Sequence, residues 1–174
     1  MKITRIVSLL FAAQIALFSG ASAAQDVPDA IIHNEGIGFS RVIDGELMVF
    51  DLVAAYDNHA IVEADCSAYQ AQVKGVNWCF ATEENKAAFE AETQENGNNK
   101  YLPFVGGHCA LGMANGNLTA TGDPRTAVRI GNQLVLNGRF VVRTRFLEDS
   151  ERNMDNATLR YQLALAAGEL RSSD

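Results

Sequence analysis

The chain has no glycine-rich nucleotide loop, no Gly-x-Ser-x-Gly elbow and no His-Glu-x-x-His helix. The usual sequence-visible devices for phosphoryl transfer, serine hydrolysis and zinc proteolysis are therefore missing. Histidine is scarce, and His33, His59 and His108 form no cluster in sequence. Cysteine is scarcer still for a metal site: Cys66, Cys79 and Cys109 include no closely spaced pair. Basic residues are also in deficit, with 14 Lys and Arg against 21 Asp and Glu. That balance argues against nucleic acid or an anionic membrane surface as a partner. No repeat, linker or low-complexity tract divides the 174 residues, and the one long apolar run, Ile6 to Phe18, is too short to be read as a membrane span.

What is present at the start fits an export leader. Lys2 and Arg5 precede the apolar run, and Ser19-Gly20-Ala21-Ser22-Ala23 supplies small residues of the A-x-A kind. Cleavage is expected after Ala23, with Ala24 the neighbouring position, which assigns residues 1–23 to a signal peptide and the protein to the periplasm or the secreted fraction. The 14 basic residues less the two in the leader leave 12 against 21 acidic, a mature charge of −9. About 150 residues then remain, one domain's worth with a real core. In an oxidising compartment three cysteines leave several arrangements open: one pair plus a free thiol, metal ligation, or burial.

Residues 24–48 read as an N-terminal extension with a hairpin signal at Asp44-Gly45. From Ala60 to Ala81 two strands are expected around Lys74-Gly75, with Gln70 opposite Cys79 and Cys66 two pairs further on, too far for an unstrained disulfide in that register. Thr82 caps a helix reaching about Thr93, with Glu83 and Glu84 in its first turn. Pro103 keeps Leu102 extended, Gly106-Gly107 turns the chain, and His108 to Ala114 forms a short helix closed by Asn115-Gly116. A last hairpin turns at Gly131-Asn132, and helices follow over Phe140 to Glu148 and Met154 to Leu170. Leu159, Leu163, Ala166, Ala167 and Leu170 share one face of the latter, for core or partner packing. The fold class expected is α+β, with small antiparallel hairpins packed against short helices and a C-terminal helical segment.

Most of the candidate chemistry lies in Tyr101 to Gly116, YLPFVGGHCALGMANG. With Cys109 in the first turn of its helix the dipole favours thiolate, and Met113, four residues on, shares its face. Thiolate with thioether is a soft pair suited to Cu(I). His108 sits roughly 100° around that helix and joins the same ion only through a distorted turn. Cys79, pointing away from the face of Trp78 and Phe80, can meet either Cys66 or Cys109. The alternative is that Cys109 and Met113 are adaptable core residues. Catalysis would need a nucleophile, base and oxyanion hole. Cys109 beside the Gly106 and Gly107 amides is a thin version of that, so the balance leans away from turnover.

Several segments together resemble the YHS domain of small exported bacterial proteins. They are Gly75-Val76-Asn77-Trp78-Cys79-Phe80-Ala81-Thr82 with Asn85 and Phe89, then Tyr101-Leu102-Pro103 and Gly106-Gly107-His108-Cys109-Ala110, then Gly116, Asp123-Pro124 and the Ile130 to Asn137 hairpin. The resemblance defines a YHS-like domain over residues 49–174. Ala55, Cys79 and Val128 stand where the family pattern carries aromatics. Kinship to metal-handling modules implies heavy-metal binding. Together with the soft sulfur pair, this gives the expected function: an exported module binding copper or zinc through Cys109, Met113, His108 and Cys79, in a sensing or metal-binding role. The other expectation is a metal-free module that docks an exported protein partner and carries a disulfide or buried thiols.

Overall fold

The computed structural model describes residues 30–170, so the expected leader lies outside the described residues. The fold is α+β. Strands β1 (His33–Asn34), β2 (Ile37–Gly38), β3 (Ser40–Ile43) and β4 (Glu46–Val49) come first, followed by helix α1 (Leu52–Asp57). Next are β5 (Gln70–Val73), β6 (Val76–Cys79) and α2 (Glu83–Glu92). The second half holds a 3-10 turn (Phe104–Gly107), α3 (Ala110–Ala114), β7 (Asp123–Ile130), β8 (Gln133–Asn137), α4 (Phe140–Leu147) and α5 (Ser150–Ala167).

The hairpins follow their turn chemistry. Lys74 and Gly75 both take positive φ, 54° and 77°, as a two-residue turn of the I′ kind requires, and Gln70 pairs with Cys79 as the turn predicts. The β3–β4 and β7–β8 hairpins form separate two-stranded sheets. The remaining sheet has order β1-β2-β6-β5, with β2 parallel to β6 through Ile37 and Asn77. Residues 33–38, read from sequence as extension, thus supply two strands of the domain. Sequence periodicity carries no trace of this, because a parallel pair is joined by distant chain.

The main core gathers Trp78, Phe80, Phe89, Tyr101, Leu52 and Leu134. The Phe89 ring lies 5.1 Å from Phe80 and 6.1 Å from Trp78. Asp51, wholly buried, ties this core's edge together. Its Oδ1 accepts the Val53 and Ala54 amides at 2.8 and 2.9 Å, capping α1. Its Oδ2 accepts the Ala81 amide and the Asn85 side chain, both at 2.7 Å. A buried carboxylate with four donors satisfies the charge it carries inward.

The C-terminal helix turns a different face inward than its leucines suggest. Ala157 and Ala164 are buried, while Leu159 and Leu163 are 57% and 61% exposed. Small alanines let α5 approach α3 closely, so Ala157 packs with Met113, Ala114 and Val105. Close approach decided the face: Leu159 and Leu163 point to solvent, while Leu170 at the end of the expected stripe is partly buried against that cluster. No helix among the described residues is long and apolar enough to cross a membrane.

Candidate functional site

The segment beginning at Tyr101 is pinned at its entrance. Asn99 Oδ1 accepts the Tyr101 amide at 2.9 Å and its Nδ2 donates to the Phe89 carbonyl at 2.7 Å. The Tyr101 hydroxyl donates to Asp57 Oδ2 at 2.9 Å. Pro103 then runs beside Leu134, and the 3-10 turn follows. Inside it Val105 has φ 45° and ψ 43°, and Gly106 has φ 64° and ψ 19°. A β-branched residue in the left-handed region is strained by about 1–3 kcal/mol and persists only where its surroundings over-determine it. Those surroundings are visible: the Ile32 amide donates to the Gly106 carbonyl at 2.8 Å, and the Gly122 amide to the Gly107 carbonyl at 3.0 Å. A Cβ on Gly106 would lie 1.8 Å from the Ala30 carbonyl oxygen, so only glycine fits beneath the segment that leads into β1.

Leu102 to Gly106 forms one wall of a cleft of about 380 Å³, within the size range of small-molecule sites. Ile31, Phe104, Tyr161 and Trp78 are its apolar lining residues, with Leu102, Pro103 and Val105 of the wall. Gln94, Asn98, Gln133, Lys74 and Lys100 stand around it. Trp78 is the chain's single tryptophan. Lys74 leaves its turn and lays its stem over Gly97, whose added Cβ would sit 3.1 Å from the lysine Cγ. Burial lowers the Lys74 ammonium below the ordinary lysine value. Lys100 is engaged by Glu92 at 2.7 Å and lies 4.8 Å from the Tyr101 ring centroid. The Tyr161 hydroxyl donates to the Ala30 carbonyl at 3.1 Å, and burial pushes its phenol up to about 12.

The four metal ligands expected from sequence lie in separate surroundings. Cys79 is bonded to Cys66, with a Cα separation of 4.9 Å, which corrects both the ligand role and the exclusion of that pair. The hairpin register is the expected one, but the chain before Gln70 is not extended. Asp65 Oδ1 accepts the Ser67 amide at 2.9 Å and its hydroxyl at 2.6 Å, and this Asx turn brings Cys66 back over the strand end. Cys109 is the one free cysteine, but it stands before α3 as its N-cap, with φ −62° and ψ 111°. Its sulfur accepts the Gly112 amide at 3.4 Å and faces Asn137 Oδ1 at 3.9 Å. Being outside the helix, it does not share the face of Met113, which is buried toward α5 with Val105 and Ala157. His108 points to neither sulfur; its ring lies 6.2 Å from that of Tyr161. Among the described residues no group of three or more His, Cys, Asp and Glu converges as a metal site.

Two other features went unread in the sequence. His108 is 2% exposed, and neither ring nitrogen has a hydrogen-bond partner. Burial lowers its imidazole below the ordinary value, offset only in part by the nearby Ala120 carbonyl, which already accepts the Cys109 amide at 2.8 Å. Asp123 sits between Arg125, at 2.7 Å, and Arg41, at 3.4 Å. Burial pushes its carboxyl up, but hydrogen bonds from Arg125 and the charges of both arginines outweigh that and hold it below the usual range. Arg41, with Arg139 and Arg145, borders a shallower groove of about 640 Å³ that Cys109 reaches from below.

Compared with protein-family models, with curated proteins and with solved structures, the chain matches none.

Proposed function

We propose that the chain is an exported, metal-free binding module of YHS-like type, and that its ligand seat is the cleft walled by Leu102 to Gly106. The observation that carries this reading is Val105, held at φ 45° on the cleft wall. A strained β-branched residue clamped by its neighbours is the kind of feature that accumulates at ligand-binding loops. Three of the residues that carry the family resemblance, Leu102, Pro103 and Gly106, stand in this wall. The Cys66–Cys79 bond supports the exported part of the reading, because such bonds persist in oxidising compartments.

The test uses Trp78, the single tryptophan, which is buried and among the residues lining the cleft. Purified, oxidised protein is titrated with a library of small molecules while indole emission and melting temperature are followed. Compounds that change the emission and raise the melting temperature together support the seat. A library that moves neither at millimolar concentration removes the proposal. The soft-metal reading now rests on Cys109 alone, and metal analysis of reduced protein decides it. The module reading expects neither Cu(I) nor Zn(II) to bind stoichiometrically at micromolar concentration.

A further inference from the structure

The turn that ends the cleft wall holds two groups out of their preferred states. Val105 has φ 45°, and three residues on, the His108 ring is 2% exposed with both nitrogens unpartnered. A strained β-branched residue and an unsatisfied buried imidazole each favour an opened turn, so the contacts that close it work against both. Those contacts come from a strap, Ala30 to Ile32, which lies before β1 and belongs to no strand. The Ile32 amide donates to the Gly106 carbonyl at 2.8 Å, and the Tyr161 hydroxyl to the Ala30 carbonyl at 3.1 Å. Gly107 sits against Ile32, whose Cβ would lie 3.4 Å from an added Cβ. Ile31 anchors the strap in the main core, so the turn is the partner free to move. Ile31, Val105, Gly106 and Tyr161 all line the cleft.

We propose that protonation of His108 separates this turn from the strap, so that the cleft wall is closed at neutral pH and loosens in acid. What the switch governs rests on the binding-module reading. Burial lowers the imidazole below its ordinary value, offset in part by the Ala120 carbonyl. In the separated state the ring meets water and regains a value of about 6.5. The closed form is therefore fully favoured above about pH 6.5 and loses ground as pH falls toward the folded value. Over that interval the opening equilibrium grows by up to about tenfold per pH unit, the dependence of one proton. Among the described residues no carboxylate bonds to the ring. The titratable groups around it are otherwise engaged. Tyr161 of α5 is a neutral phenol pushed up to about 12, and Cys109 turns its sulfur to Gly112 and Asn137. Arg160 donates to the Ala114 carbonyl at 3.0 Å, and Asp123, beyond Thr121, is held by Arg41 and Arg125. Next to the strap, His33 Nδ1 accepts the Gly36 amide at 3.2 Å.

The experiment is amide hydrogen exchange by NMR on the oxidised protein, with a metal chelator present and no ligand, at about pH 7 and about pH 5. Rates are read as protection factors, which removes the pH dependence of intrinsic exchange. The Ile32 amide, bonded to Gly106, and the Gly122 amide, bonded to the Gly107 carbonyl at 3.0 Å, report the turn. The Phe80 amide, bonded to the Tyr69 carbonyl at 2.9 Å, reports the rest of the fold. Protection at Ile32 and Gly122 should fall at least about tenfold in acid while that at Phe80 holds. His108→Phe keeps a ring and takes no proton, so its protection should not change with pH. His108→Leu makes the same comparison if the Phe variant does not fold. His33→Asn should leave the acid loss intact. Flat protection in wild type, or an equal loss at Phe80, overturns the switch. So does a loss that persists in His108→Phe and disappears in His33→Asn. Each of those results leaves the cleft standing as a ligand seat, whereas a cleft that binds nothing leaves the switch intact with no seat to govern.

Discussion

Gly106 is where the fold and the proposed seat depend on the same atom, and replacing it with alanine separates two costs that are usually confounded. The first is backbone: φ 64° at Gly106 costs an L side chain about 1–2 kcal/mol. The second is steric. The new Cβ would meet the Ala30 carbonyl oxygen at 1.8 Å and the Tyr161 hydroxyl at 2.7 Å, and a backbone atom cannot rotate away. The segment before β1 must move. With it go the Ile32 to Gly106 bond of 2.8 Å and the Tyr161 to Ala30 bond of 3.1 Å, each worth roughly 0.5–1.5 kcal/mol. Gly106→Ala should therefore cost about 2–5 kcal/mol in all. Gly45→Ala is the internal control, with φ 86° and nothing within 4 Å of an added Cβ, so it should pay the backbone cost of about 1–2 kcal/mol alone. Urea unfolding of the two variants and wild type, at unchanged m-value, reads both numbers. Equal losses at the two glycines would refute the packing of residues 30–32 against the turn, and with it the cleft wall.

Other expectations follow from the same geometry. Thiol counting on denatured, unreduced protein should find one reactive thiol, Cys109. Reducing the Cys66–Cys79 bond, which closes a loop of 13 residues' separation, should lower stability by about 3 kcal/mol if loop entropy dominates; three free thiols or an unchanged melt would contradict the pairing. His108→Phe replaces a buried ring with two unpartnered nitrogens and should be neutral or stabilising by up to about 1 kcal/mol. The folded-state pKa of His108 lies below its unfolded value, so wild type keeps its full stability above about pH 6.5 and loses some as pH falls toward the folded value. The Phe variant should lack that acid-side slope; an identical slope would place the titration elsewhere.

What could be read from the sequence was local. Asp44-Gly45, Lys74-Gly75 and Gly131-Asn132 each set a hairpin, and Thr82 caps α2 by accepting the Asn85 amide at 3.2 Å. The features that escaped depend on distant chain or on competing local chemistry. The Cys66 pairing was hidden by assuming that strand β5 extends backwards, although Asp65-Cys66-Ser67 carried the Asx-turn signal that stops it. The Cys109–Met113 face failed because a helix starting two residues later, at Ala110, leaves Cys109 as a cap. On α5, leucine spacing predicted one face, but the face that carries Ala157 against Met113 is the one turned inward. The cleft gathers residues from the segment before β1, the β5–β6 turn, the loop after α2 and α5, and no window of sequence contains that set.

The most direct measurement of the central claim is a backbone-amide NMR titration of oxidised protein with the compounds that change indole emission and raise the melting temperature together. The account predicts shifts concentrated at Lys74, Asn98, Val105 and Gly106 and at the Trp78 indole, with the amides around Cys109 and Arg139 unmoved. Shifts centred on the Cys109, Arg139 and Arg145 groove, or none at millimolar ligand, would contradict it.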